Sequence, residues 1–445
     1  MAEGNRIISG IKLERLFRRA LLALALLMTF RTFQFFPGMA PVQEVWFVLC
    51  FLATLFLYPF WKLQAGLRFS RFEAYLLLVI AFGTFLAAWR AQDVFGQPLL
   101  YGILAQRAMV LTAVLLVVVI ALQRGTVRIA DLEAAFLWLC WSTFALYSAM
   151  RLMLNPANFA GYGVGFVTEP MPGDPPGFKL PGYFILFGVF YYAILGMRTR
   201  RARNYLAAAV LFPVTISGSG RGLTVCVAAT LLYFLYRIRG IKRAFVAAAK
   251  GAVVAAVLFG VLYAIAPAAF SARAAGFGDA FAAVVTGSAT QDVSANARIF
   301  ETLSALPYIQ QHPLLGNGVV SNQWQGGSAG ALGSYFYPAD IGVIGVVYSY
   351  GILGLLLYLF QYRFAWIAAR KLTDCDRNPL LDATKAFILY SALYSLETGT
   401  FVWNAELTLF FIALLIALAA QTKPSNLSDT GSGSVCSLQR PALSA

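Results

Sequence analysis

The sequence predicts an all-α polytopic membrane protein with about twelve transmembrane helices and a long outer loop that contains helices between spans nine and ten. Of its 445 residues, 60% are hydrophobic and 12% are charged, and the mean hydropathy is +0.72. Soluble domains carry about twice that charged fraction. Apolar runs long enough to cross a bilayer recur along the chain, and its basic residues are concentrated in alternate loops.

The apolar runs define the order of the chain. The predicted spans are centred near residues 28, 50, 81, 113, 142, 190, 210, 230, 257, 351, 391 and 412. A basic cytoplasmic segment, 1–20, precedes a single transmembrane domain, 21–422, and a Ser- and Gly-rich tail, 423–445, reads as disordered. The two large outer loops are about 153–182 and 272–340.

The distribution of Lys and Arg predicts the orientation. With the N-terminus inside, all but eight of the 34 basic residues fall in the tail or in segments assigned to the cytoplasm. The exceptions are Arg31, Arg90, Arg107, Arg151, Lys179, Arg221, Arg273 and Arg298. This asymmetry predicts that both termini are cytoplasmic. It explains the net charge of +15 through topology and contact with anionic membrane lipids, with no nucleic acid partner.

The stretch from Ser294 to Gly318 in the second outer loop contains the only histidine, His312. Its spacing predicts one helical face, made of Arg298, Glu301, Thr302, Ala305, Ile309 and His312. Pro307 predicts a kink, and Pro313 predicts that the helix stops at His312. An imidazole there can act as a general base near neutral pH, although a lone histidine is more often structural.

The turn SGSGRG, Ser217–Gly222, lies at the outer end of the seventh span. Backbone N–H groups, a helix N-terminus and the Arg221 guanidinium all favour phosphate, but a tight turn between two helices explains the motif equally well. Outward-facing arginines, a histidine and this turn together suit an anionic lipid-linked group. Pyrophosphate fits because it accepts bidentate Arg contacts and leaves once its charge is neutralised.

Metal and disulfide chemistry are not predicted. The five cysteines form no CxxC pair. One histidine and the lack of an obvious cluster of outer carboxylates at ligand spacing are consistent with metal independence, and no cofactor is expected.

Three features together resemble the bacterial O-antigen ligase and O-antigen polymerase superfamily, the WaaL/Wzy type. They are the turn at Ser217–Gly222, Arg298 early in the long outer loop, and HPLLGNG at His312–Gly318. The glycine-rich span from Asp340 also matches, and the resemblance is clearest over about 200–362. It implies a multi-pass inner-membrane glycosyltransferase with a periplasmic active site. Such an enzyme passes glycan from undecaprenyl pyrophosphate to an acceptor hydroxyl without a metal.

The resemblance also implies roles for individual residues. His312 would be the base, and Arg221 and Arg298 would hold the pyrophosphate, with Arg273 of the same loop in reserve. The acceptor would be a growing glycan, as in a polymerase of O-antigen or exopolysaccharide repeats, or lipid A core, as in a ligase.

The segment before the glycine-rich span departs from the ligase pattern, and this favours a polymerase. Tyr335, Tyr337 and Asp340 stand in the acceptor region. Asp340 either shapes the acceptor site or caps the tenth span, and the cap is favoured.

Two other function classes remain open. A transporter or flippase of lipid-linked sugars would show ionisable residues near mid-membrane and broken helices in matched halves. Here the distinctive polar residues gather at outer ends, with Arg31 and Glu397 as the exceptions. A scaffold subunit of an envelope complex is the third class.

Overall fold

The structure is a computed structural model of the chain. It describes residues 2–64, 66, 68–159, 166–167, 177–179, 181–216, 221–250, 293–332, 336–372 and 378–421. The described residues are mostly helical and contain no β-strand; Val167 and Phe178 form an isolated antiparallel bridge. The all-α class is therefore confirmed. The predicted span near 257, Arg273 and the tail 423–445 lie outside the described residues.

Long helices joined by short turns make up the fold. In chain order they are α1 (Ala2–Thr29), α2 (Met39–Gln64), α3 (Arg71–Phe95), α4 (Leu99–Ala105), α5 (Arg107–Gln123), α6 (Ile129–Met153), α7 (Tyr183–Thr199), α8 (Ala202–Ile216), α9 (Arg221–Arg239), α10 (Val293–Gln311), α11 (Gly327–Leu332), α12 (Gly342–Leu359), α13 (Gln361–Lys371), α14 (Pro379–Thr398) and α15 (Ala405–Gln421). The predicted N-terminal segment and the first predicted span form one continuous helix, α1.

Several of these helices are long and apolar enough to cross a membrane. Five described helices meet that test, and a sixth is obtained if α4 and α5, which are bent by 49° relative to each other, form one broken span. Every predicted span centre except the one near 257 lies within a described helix. A helical membrane protein is thus supported, while the count of about twelve spans stays a prediction.

Burial separates central helices from peripheral ones. α7 and α15 lie at the centre, where Phe187, Phe190 and Phe411 are almost completely buried. The most apolar window of α2, in contrast, is only 17% buried inside the protein. Its exposed apolar side chains suit contact with lipid, since such a surface in water would be an aggregation site.

Buried carboxylates hold the predicted cytoplasmic ends of the helices together. Asp131 at the start of α6 pairs with both Arg18 and Arg19 of α1. Lys62 of α2 pairs with the buried Glu73 of α3 in the same way. Part of the basic surplus is therefore used in ion pairs between helices.

Helix α12 is interrupted at Gly351, which has φ 66° and ψ −176°. In an unbroken helix the N–H groups of Ile352 and Leu353 would bond to the carbonyls of Tyr348 and Ser349. Here those N–H groups donate to the carbonyls of Pro313 and Leu314 instead, at 2.9 and 3.1 Å.

The freed carbonyls of α12 are satisfied by the same segment, Pro313–Gly318, which we call the docking segment. The backbone N–H groups of Asn317 and Gly318 donate to Tyr348 and Ser349, both at 2.9 Å. The buried Asn317 side chain adds a bond to Tyr348. The docking segment is thereby inserted into the hydrogen-bond ladder of α12, and it pairs four backbone groups that the break would otherwise leave without partners.

Glycines allow this close approach. A methyl group on Gly316 would lie 2.5 Å from the nitrogen of Gly351 and 2.6 Å from the backbone of Ser349. One on Gly318 would collide with the backbone of Ala87 in α3. The glycines of the HPLLGNG motif therefore have a packing role.

Replacing Gly316 tests this packing against a matched control. Gly316→Ala adds a methyl group at φ +70°, against the backbone of α12; Gly96→Ala adds one at φ +74° with nothing within 4 Å. The left-handed conformation alone costs about 1–2 kcal/mol. We expect Gly96→Ala to lower the unfolding temperature in detergent slightly and Gly316→Ala to lower it much further. Equal effects would show that the docking segment can move away from α12.

Candidate functional site

The predicted helix in the long outer loop is present and faces the way the spacing predicted. α10 ends at Gln311, immediately before His312, because Pro313 disfavours helical backbone in the residue before it. All six residues of the predicted face are buried or half-buried, whereas Phe300, Leu303 and Leu306 are exposed. The helix runs through Pro307 without interruption.

His312 is half-buried and directly precedes the docking segment. Its backbone N–H bonds to the carbonyl of Tyr308 at 3.0 Å, and its own carbonyl accepts from Gly316, also at 3.0 Å. Arg90 of α3 donates to the Gly316 carbonyl at 3.0 Å. The position of the histidine is therefore fixed by the end of α10 and by the packing of the glycine-rich turn.

Arg298 lies near the start of α10 and forms an ion pair with Glu397 near the end of α14, with 2.9 Å between Nη1 and Oε1. Both side chains are partly exposed, at 41% and 28%. Gly222 in the first turn of α9 lies against the same carboxylate, which a methyl group at that position would strike. Gly222, the last residue of the predicted turn, and Arg298 thus meet at Glu397, whereas Ser217–Gly220 lie outside the described residues. The side chain of Arg221 is outside the described residues.

The two ends of α10 are far apart. Arg298 and His312 are separated by roughly 21 Å along the axis, since each residue of an α-helix rises about 1.5 Å. Although the two side chains lie on the same face of the helix, they are too far apart to contact the same atoms of a substrate. A substrate that contacts both must lie along the helix.

Glu301 is a buried carboxyl group that the sequence placed on this face without a role. It is 1% exposed, and its Oε1 accepts from the backbone N–H of Tyr337 at 2.9 Å. Its Oε2 has no hydrogen-bond partner among the described residues. The pKa of Glu301 is raised to about 7, because burial and, to a smaller extent, Asp340 outweigh the lowering effects of the Tyr337 N–H and Arg298.

The predicted acceptor region lies next to Glu301. Tyr337 is bound to Glu301 through its backbone, and its side chain is exposed. The predicted cap at Asp340 is wrong: Asp340 lies in a 3-10 turn, Pro338–Ile341, and α12 begins with Ile341 as N-cap and no side-chain cap bond. Ile341, the last residue of this turn, occupies the N-cap position, so Asp340 lies one residue too early to cap the helix. Tyr335 lies outside the described residues.

Arg31 has a buried partner that the sequence did not reveal. It follows α1 and pairs with Glu406 at the start of α15, with 2.7 Å between Nη2 and Oε1. The same guanidinium donates to Asn404 at 2.8 Å and to the Trp403 carbonyl at 3.2 Å. The partners are separated by 375 residues in sequence, so no local pattern could have found this pair.

Within the described part of the chain, no group of three His, Cys, Asp or Glu side chains is arranged to hold a metal ion. Comparison with protein-family models, with curated proteins and with solved structures finds no match to the chain.

The variant Glu301→Gln tests the raised pKa of this buried carboxyl group through the pH dependence of stability. The folded pKa of about 7 is above the ordinary value of 4.5, so the folded state binds more protons between these values and stability falls as pH rises through them. The amide cannot ionise, but it can still accept from Tyr337. We expect wild type to lose stability relative to Glu301→Gln between pH 4.5 and 7 in detergent, with no further change above. A pH-independent difference would contradict the shift.

The contribution of the buried Arg31–Glu406 pair to stability can be compared with that of an exposed ion pair. Glu406→Gln leaves a buried guanidinium without its counter-charge, at a cost of about 3 kcal/mol. Arg107–Glu44 is about half exposed, so Glu44→Gln should cost at most about 1 kcal/mol. Unfolding in mixed micelles measures both. Similar small losses would mean that Arg31 finds other acceptors.

Proposed function

We propose that the chain is an inner-membrane glycosyltransferase that acts at the periplasmic face. It takes glycan from undecaprenyl pyrophosphate and transfers it to an acceptor hydroxyl, as a polymerase of O-antigen or exopolysaccharide repeats or as an O-antigen ligase. In this proposal about twelve helices span the membrane and both termini are cytoplasmic. The observation that carries it is the meeting of Arg298, Glu397 and the N-terminal turn of α9.

This meeting point suits an anion. The N-terminus of a helix carries free N–H groups and about half a positive charge, and Gly222 leaves the first turn of α9 open to close approach. Arg298 adds a guanidinium that can bind phosphate oxygens in a bidentate way. In the free protein Glu397 compensates this positive charge. A pyrophosphate carries more negative charge and more acceptor oxygens than one carboxylate, so it can displace it.

The reaction needs a base as well as an anion site. The acceptor oxygen forms a bond to the anomeric carbon, and the bond from that carbon to the pyrophosphate oxygen breaks with inversion. The electron pair leaves with the lipid pyrophosphate, and we assign the hydroxyl proton to His312. Since the anomeric carbon is bonded directly to the pyrophosphate, and roughly 21 Å separates Arg298 from His312 along α10, the two side chains have to extend towards each other, with the pyrophosphate between them and the anomeric carbon on the His312 side.

A transporter or flippase of lipid-linked sugars is the second candidate. It is favoured by the break at Gly351, the bend between α4 and α5, and the buried Arg31–Glu406 pair. Transporter sites are commonly formed by such broken helices. Against it, Arg31 and Glu406 lie at helix ends and not at the middle of a span.

Purified variants decide between the two candidates. His312→Ala and Arg298→Ala should each reduce glycan transfer from the pyrophosphate-linked donor at least a hundredfold, and Arg298→Lys should also be poor because an ammonium is a point charge. Arg107→Ala, at an exposed ion pair, is the control. Transfer is measured by gel analysis of glycan products after reconstitution.

Undiminished transfer by both alanine variants would refute the assignment. Movement of the lipid-linked sugar across the vesicle membrane, without a new glycosidic bond, would establish the transporter instead.

A further inference from the structure

A cavity lined by four polar and three apolar residues lies where three interruptions of the helices meet. One is the bend between α4 and α5, another is the break at Gly351 in α12, and the third is the non-helical residue Asn404 between the short helix Thr400–Trp403 and α15. The cavity has a volume of about 50 Å³. Its polar lining is Gln106, Tyr350, Trp403 and Glu406.

Two hydrogen-bond donors at this cavity have no partner among the described residues. Tyr350 is 1% exposed, and its hydroxyl lies beside the side chains of Gln106 and Tyr358 without meeting the geometry of a hydrogen bond to either. The indole N–H of Trp403 is buried and unpaired as well. A buried polar group without a partner costs about 1–3 kcal/mol, so such groups in folded proteins nearly always have a protein, water or ligand partner.

The charges around the cavity select the class of ligand. Arg31 neutralises Glu406, so the site has no net charge to attract an ion. Indole can only donate, carboxylate can only accept, and phenol and amide groups can do both. The complementary group both donates and accepts without a charge, which is the chemistry of a hydroxyl.

We propose that this cavity binds a hydroxyl-bearing edge of a neutral sugar. A volume of about 50 Å³ admits one edge of a sugar ring and excludes a whole disaccharide. The inference rests on the proposed function in one respect, that the sugar belongs to the acceptor glycan. Ordered water offers the same hydrogen-bonding groups, so the experiment has to distinguish water from sugar.

Binding is measured directly, without turnover. Saturation-transfer NMR with the full chain in detergent uses glucose as the neutral probe and glucuronate as its charged counterpart. We expect saturable glucose binding by wild type, weaker glucuronate binding, and roughly tenfold weaker glucose binding for Trp403→Phe and for Tyr350→Phe. Trp141→Phe is the matched control, because its indole N–H already donates to Tyr192 at 2.9 Å.

The binding experiment distinguishes a sugar in the cavity from water in the cavity. No glucose binding by wild type, or equal binding by wild type and both cavity variants, would mean water only and overturn the proposal. If Trp403→Phe does not fold, Tyr350→Phe on another helix gives the same test.

In the transfer assay, the KM for acceptor should rise about tenfold in Tyr350→Phe while kcat stays within about twofold. If wild type shows no transfer but binds glucose through these residues, the proposed function fails and the binding site stands.

Discussion

The insertion of the docking segment into the hydrogen-bond ladder of α12 is the constraint on which the region around His312 depends. Four backbone hydrogen bonds replace the two that the helix loses at Gly351, and Asn317 adds a side-chain bond to Tyr348. Since unpaired backbone groups are costly inside a membrane protein, neither element can keep this conformation without the other. The glycine-rich motif after His312 is therefore explained by packing, and its effect on the histidine is to hold it at a fixed position beside α12.

Two arginine–glutamate pairs, Arg31–Glu406 and Arg298–Glu397, differ in burial, and this difference separates a structural role from a binding role. Arg31 and Glu406 are 17% and 7% exposed, so separating them would leave two charges in a low dielectric. Arg298 and Glu397 are more exposed, and pairs of that kind contribute at most about 1 kcal/mol. An incoming anion can replace Glu397 at small cost, but no ligand gains by replacing Glu406. Anion binding is therefore expected at Arg298, with Arg31 as a fixed support.

Periodicity and proline positions were enough to predict the helical class, the positions of most helices and the inward face of α10. These signals act over a few residues, so one sequence contains them. The partners of Arg31 and Arg298 come from α15 and α14, and nothing in local spacing indicates such distant pairs. The cap assigned to Asp340 is wrong for a local reason, because the 3-10 turn before α12 places Ile341, and not Asp340, immediately before the helix.

The break in α12 also links the histidine to the cavity. The carbonyls of Tyr348 and Ser349 hold the docking segment, while the next residue, Tyr350, lines the cavity. These three residues are consecutive, and the backbone of Leu314 and Leu315 lies too close to Gly351 to admit even a methyl group there. A shift of the docking segment would therefore move the Tyr350 hydroxyl as well as His312. If the cavity binds the acceptor sugar and His312 takes its proton, one backbone interruption sets the distance between them, and no flexible loop is needed to align acceptor and base.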